Sequence, residues 1–130
     1  MTITDPLLSP LPGAEHREIG GVHLDIVRAG DARVKRMIFH PGFRWSKEMK
    51  PVAGTEQCMH AHVGFLAHGQ IQVEYPDGCT QEFRAPDVLI ISPGHDAWVV
   101  GQEPAIVIEF DFEGETVERL GMPATHNHSV

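Results

Sequence analysis

The chain has 130 residues, a hydrophobic fraction of 42%, a charged fraction of 22% and a formal net charge of -8. Those figures describe one soluble globular domain large enough to bury its own core. The acidic balance argues against nucleic-acid and anionic-membrane partners, which select basic surfaces.

No apolar run reaches the length that spans a bilayer. The opening MTITDPLLSPLPG has neither the basic nor the apolar region of a secretory signal, so none is expected. Two cysteines, Cys58 and Cys79, occur without a CxxC spacing, which predicts a reduced, cytoplasmic protein.

In chain order, Pro6, Pro10, Pro12 and Gly13 predict an extended N-terminal arm over residues 1–18. Residues 22–27 alternate Val22, Leu24 and Ile26 with polar neighbours and read as a strand. A turn at Gly30-Asp31 leads to a second strand over 34–40, which Pro41-Gly42 breaks. FRWSKEMKPV then reads as an irregular extended piece, and 54–69 (GTEQCMHAHVGFLAHG) as a strand bounded by glycines. Residues 70–75 alternate again, and Pro76-Asp77-Gly78 is a strong hairpin signal before a return strand at 79–84.

The run VLIIS at 88–92 has the continuous apolar character of a buried core strand. Strands at 97–100 and 105–112 follow, and 114–120 predicts one or two helical turns. Many short strands spaced by Gly/Pro turns in one small domain predict an all-β fold, an antiparallel sandwich or barrel. An eight-stranded barrel has room for one small ligand. The long strand 105–112 is read as an exposed edge that invites pairing with a second copy.

The chemistry concentrates in 54–69. In an extended segment Glu56, Cys58, His60 and His62 share one face, because strand side chains alternate. His60 and His62 then supply two imidazoles to one space, and His95, in the Pro93-Gly94-His95 turn, offers a third. A divalent transition metal wants such converging ligands, with Glu56 or Cys58 as a fourth. The alternative is a polar, metal-free cavity lined by hydrogen-bonded histidines.

Cys58 has no lysine or arginine near it in sequence to activate it, so a small buried hydrophobe is expected there. His68 reads as a rim residue, and Asp87 and Asp96 as turn formers. Phe43, Trp45, Phe65 and Trp98 read as core or pocket wall, and His126 and His128 as a solvated polar tail.

Gly54, five residues and then His60-Ala61-His62 resembles the first half of the cupin motif. APDVLIISPGHDAW is similar to the second cupin motif, and GQIQVEYPDG fits the hairpin between them. PGHDAWVVGQEP looks like a subgroup of short bacterial cupins. The motif's usual glutamate falls on Leu66 or Ala67 here, and its later histidine on Ala97, two residues after His95.

The resemblance implies a small antiparallel cupin β-barrel (double-stranded β-helix, jelly-roll type) over 19–113, between the arm at 1–18 and a short tail at 114–130. It also implies a homodimer. The expected site is a divalent transition metal (Fe, Mn, Ni or Zn) on His60, His62 and His95, with Glu56 as general base or fourth ligand.

With neutral imidazole ligands the metal's charge would be uncompensated, which predicts preference for a small carboxylate, diketone or similar oxygen-bidentate molecule. The expected activity is that of an oxygenase, isomerase or lyase. The competing expectation is a non-catalytic ligand-binding or sensory barrel.

Overall fold

Alternating side chains and turn-forming glycines build nine strands in the computed structural model, which describes residues 5–124. They are β1 (Glu15–Ile19), β2 (Val22–Ala29), β3 (Ala32–Phe39), β4 (His62–His68), β5 (Gln70–Glu74), β6 (Thr80–Arg84), β7 (Val88–Ile91), β8 (Asp96–Val99) and β9 (Ala105–Asp111). Six form one sheet in the order β1-β2-β3-β9-β4-β7, and three form a second in the order β6-β5-β8. Every pairing is antiparallel. The two sheets are not closed on each other by hydrogen bonds.

Leu66, Leu89 and Val107 of the larger sheet meet Ile71, Val73 and Val99 of the smaller one in a shared core. The architecture is the antiparallel, two-sheet all-β arrangement that the strand pattern predicts. Among the described residues, no helix is long and apolar enough to cross a membrane.

The structure departs from the expected elements in four places. Residues 15–18, expected in the arm, join Ile19 in β1, which pairs with β2 from Glu15↔Ile26 to Ile19↔Val22. Among the described residues the irregular arm covers only 5–14. The piece expected to be extended after Pro41-Gly42 instead holds two single-turn helices, α1 (Trp45–Glu48) and α2 (Lys50–Ala53). Pro51 sits in the first turn of α2, where its missing N–H costs no helical bond.

The strand expected over 54–69 begins only at His62, and the residues before it run as a loop. The reason is that Cys58 is drawn off the sheet into a bridge with His95. The strand at 88–91 is not buried on both faces. Leu89 and Ile91 are buried, while Val88 and Ile90 are 67% and 62% exposed, because they face outward from the sheet, as Phe65 of β4 and Phe110 of β9 also do.

The edge assignment changes as well. β9 is not an edge: β3 and β4 flank it on both sides, so its backbone is already paired. The edges of the larger sheet are β1 and β7. A third short helix, α3 (Thr116–Leu120), follows β9 where helical turns were expected. His126 and His128 lie outside the described residues.

Candidate functional site

Two backbone ties assemble the site. The N–H of Cys58 donates to the carbonyl of His95 at 2.7 Å, and the N–H of Gly94 donates back to the carbonyl of Cys58 at 2.7 Å. They clamp the loop before β4 onto the turn before β8. Cys58 and His95 thereby become neighbours, and both are buried, at 5% and 2% exposure.

His62, the first residue of β4, completes the group. Its Nε2 lies 3.7 Å from the Cys58 Sγ, and its ring centroid lies 5.1 Å from that of His95. One ligand atom from each of Cys58, His62 and His95 falls within 4.8 Å of the other two.

Hydrogen bonds orient both buried imidazoles. His62 Nδ1 donates to Glu109 Oε2 at 2.7 Å, and His95 Nδ1 donates to the Ser92 carbonyl at 2.7 Å. Each ring is thereby left to present Nε2, the pattern that outer-shell acceptors impose on metal-binding histidines.

Behind His62 the charges continue in a line. Lys35 Nζ bridges Glu109 Oε1 at 2.9 Å and Asp111 Oδ2 at 2.7 Å. Arg33 donates to both oxygens of Asp111, at 2.7 and 2.9 Å. Sheet register produces this chain of charges, since Arg33↔Asp111 and Lys35↔Glu109 are direct cross-strand partners. Gly64 faces Glu109 across β4–β9, and His62 sits two residues back on the same face.

The cluster shifts its own titrations. Burial alone would push the Cys58 thiol up, but hydrogen bonds from His60, His62 and His95 and the His62 charge hold it down to about 3. Burial alone would lower His62, yet the Glu109 carboxylate and the Cys58 sulfur raise it to about 10. Burial opposes the Glu109 charge too, and His62 and Lys35 overcome it, bringing Glu109 to about 2. Asp111 is likewise held well below the usual carboxylate range: burial opposes its charge, and Arg33 and Lys35 outweigh that. A thiolate–imidazolium pair backed by a carboxylate is the charge state that follows.

A cavity of about 300 Å³ opens beside these groups, lined by Cys58, His60, His62, His95, Glu109 and Lys35 on its polar side. Of the residues expected to act, His62 and His95 stand together at the centre. His60 lines the cavity and hydrogen-bonds the Cys58 sulfur, but it is largely exposed and outside the close group of three. Glu56 does not join them. Its carboxylate is 86% exposed and paired with Lys50 at 2.8 Å, so the shared-face alignment with His62 fails once the loop leaves the strand.

Cys58, expected as an inert hydrophobe, is at the centre, because its activating groups arrive through the fold and not from neighbours in sequence. Trp45, Trp98 and Phe43 line the cavity as expected, whereas Phe65 points outward at 39% exposure. His68 donates to the Pro104 carbonyl at 2.9 Å, away from the cluster.

Glu109 and Lys35 were not singled out in the sequence. The signal for them was present: Arg33 and Lys35 two apart in one apolar strand, Glu109 and Asp111 two apart in another, with opposite signs. Same-face charges inside apolar strands call for each other when those strands pair.

No family model matches the chain, and no curated protein matches its sequence. Solved structures do. A cupin 2 conserved barrel domain protein from Salinispora arenicola CNS-205 is 16% identical with a TM-score of 0.57, over 92% of this chain and 98% of that one. A cupin-like protein from Thermotoga maritima MSB8 is 14% identical with a TM-score of 0.53, over 73% and 71%. Drosophila melanogaster CENP-C, in a structure bound to CAL1, is 11% identical with a TM-score of 0.55, over 79% and 83%. The fold is therefore that of the cupin barrels.

Proposed function

We propose that Cys58 Sγ, His62 Nε2 and His95 Nε2 hold a divalent transition metal, and that the cavity beside it serves a small oxygen-bearing organic molecule. The observation that carries this reading is the pair of tied Nδ1 atoms, which leaves two Nε2 atoms and a sulfur within 4.8 Å of one another. Ligand atoms around a tetrahedral zinc-type ion sit about 3.3–3.8 Å apart, and the Cys58–His62 separation of 3.7 Å falls in that range. The donor set of one thiolate and two imidazoles suits iron, nickel or zinc better than magnesium or calcium.

A metal there would polarise a bound oxygen or water as a Lewis acid, in the manner of an oxygenase, isomerase or lyase. Cys58 brings a negative charge to the set, so the metal is less electron-poor than in the three-imidazole site expected from sequence. His60, at the cavity wall, is the added donor closest to hand, and Glu109 holds His62 in place. The free thiols of Cys58 and Cys79 fit a reducing cytoplasmic setting.

Metal analysis of protein purified without chelator tests the reading. Near-stoichiometric iron, manganese, nickel or zinc is expected, lost in His62→Ala and His95→Ala. Metal content unchanged in both variants contradicts it.

A second reading is a metal-free ligand-binding or sensory barrel. It rests on the closed charge balance in which Cys58, His62, Glu109 and Lys35 compensate one another with no ion. The same metal analysis separates the two readings.

A further inference from the structure

The cavity has one polar end, and this sets the class of molecule it takes. Across the inner face of the larger sheet, register stacks side chains in rows about 7 Å apart, two residues along each strand. One row joins Ile26, Lys35 and Glu109, the next joins Arg17, Leu24, Met37 and Val107, and the row beyond pairs Phe39 with Ala105. All but Ala105 line the cavity. Past the cluster's own row the cavity wall is apolar except for Arg17, which stands opposite Leu24 on the edge strand β1 and is held by both oxygens of Glu15. Phe43, Trp45 and Val99 add to the apolar lining.

The charges at the polar end are already engaged. Lys35 is shared between Glu109 and Asp111, and Arg33 is held by both oxygens of Asp111. They have little left to offer a ligand carrying several polar groups. A sugar, polyol or dicarboxylate would place hydroxyls or a second carboxylate against Leu24, Met37 and Phe43 with no partner. Binding sites reject such groups because desolvation goes uncompensated.

We propose that the ligand is a small aromatic or branched aliphatic molecule with a single oxygen-donor head, its apolar body on the Leu24–Met37–Phe43 wall and its head toward Cys58, His62 and His95. The role of the head rests on the metal reading above; the fit of the body does not.

The chain has two tryptophans, Trp45 and Trp98, and both line the cavity, so their fluorescence reports occupancy. Metal-loaded protein is titrated with phenylacetate, isovalerate, malonate and xylose, and protein kept in chelator is titrated with benzyl alcohol, which has no carboxylate. Saturable emission shifts are expected for phenylacetate and isovalerate, with none from malonate or xylose over the same range. Benzyl alcohol is expected to shift the emission without metal.

Met37→Gln, close in size, should weaken benzyl alcohol by about tenfold or more, whereas Met37→Leu should keep it. Both variants are checked for an unchanged circular dichroism spectrum. A saturable malonate or xylose shift at lower concentration than phenylacetate overturns the proposal, as does unweakened benzyl alcohol binding in Met37→Gln. Failure of metal uptake alone leaves the benzyl alcohol arm standing, so the two readings fail separately.

Discussion

His62 and Glu109 form a diagonal pair across the β4–β9 ladder, Nδ1 to Oε2 at 2.7 Å, with Gly64 as the residue directly opposite Glu109. A side chain at Gly64 would collide with the Ile108 carbonyl and lie 2.6 Å from the Glu109 Cα, so the close approach of the two strands depends on that glycine. The carboxylate fixes which nitrogen of His62 faces Cys58. Glu109→Gln keeps the shape and removes the charge, and metal affinity should fall about 10- to 100-fold. Competition against a chromophoric chelator measures this. An unchanged affinity would show that the pair is structural only.

The charge state of Cys58 has a direct optical readout. With the thiol held at about 3 and His62 raised to about 10, metal-free protein should carry a thiolate from roughly pH 4 upward. Absorbance near 240 nm in a Cys79→Ser background should show it at neutral pH, and His62→Ala should abolish it there. Metal uptake at pH 7 should release the His62 proton to solvent, since the ligand must be neutral imidazole.

Stability should follow the same groups. Glu109 is lowered from 4.5 to about 2, so its contribution is present above pH 4.5 and lost as pH falls through about 2. His62 is raised from 6.5 to about 10, so its contribution is present below pH 6.5 and lost as pH climbs through about 10. Cys58, lowered from 9.0 to about 3, gains with rising pH what His62 loses until about pH 9, so denaturant melts of metal-free protein should weaken toward acid, and toward base only above about pH 9. Glu109→Gln should flatten the acid side.

Lys35 is the common partner of two buried carboxylates, Glu109 and Asp111. Lys35→Met leaves Glu109 without its ammonium partner, and breaking a buried pair in this way costs about 3–5 kcal/mol. The double variant Lys35→Met/Glu109→Leu should cost less than the sum of the two single changes. Urea denaturation of the four proteins gives the coupling, and simple additivity would deny that the pair acts as a unit.

Most of the fold was legible because alternation and Gly/Pro turns survive in the native strands. The continuous run at 88–91 misled, since an apolar residue on an exposed face of an edge strand looks the same in sequence as a buried one. His62 and His95 were legible from residue type and spacing. Cys58 was legible only as one of two candidates for a fourth ligand and otherwise as a buried hydrophobe, because the groups around its sulfur come from His95 across a turn and from His62 in the next strand. Glu56 was misplaced by assuming that the strand began before His62. Glu109 and Lys35 were hidden as polar residues in apolar strands, whose meaning appears only when β3 and β9 are known to be partners.

The outward residues suggest where a second copy would sit. Phe65 and Val88 are direct cross-strand partners on the outer face, 39% and 67% exposed, with Ile90 and Phe110 near them on adjoining strands. An apolar patch of this kind marks an interaction surface, and a homodimer through it is the expectation that replaces pairing at β9. Light scattering should give a dimer for the native chain and a folded monomer for Val88→Glu. A native monomer at micromolar concentration counts against it.

The central claim is that one sulfur and two imidazole nitrogens bind a metal together, and cobalt(II) titration tests it most directly. One equivalent should produce visible bands of a tetrahedral ion together with a near-ultraviolet thiolate-to-cobalt band. Cys58→Ser should lose the thiolate band while His62→Ala and His95→Ala lose the visible bands. A native spectrum with no thiolate band, or one indistinguishable from that of Cys58→Ser, would contradict the account.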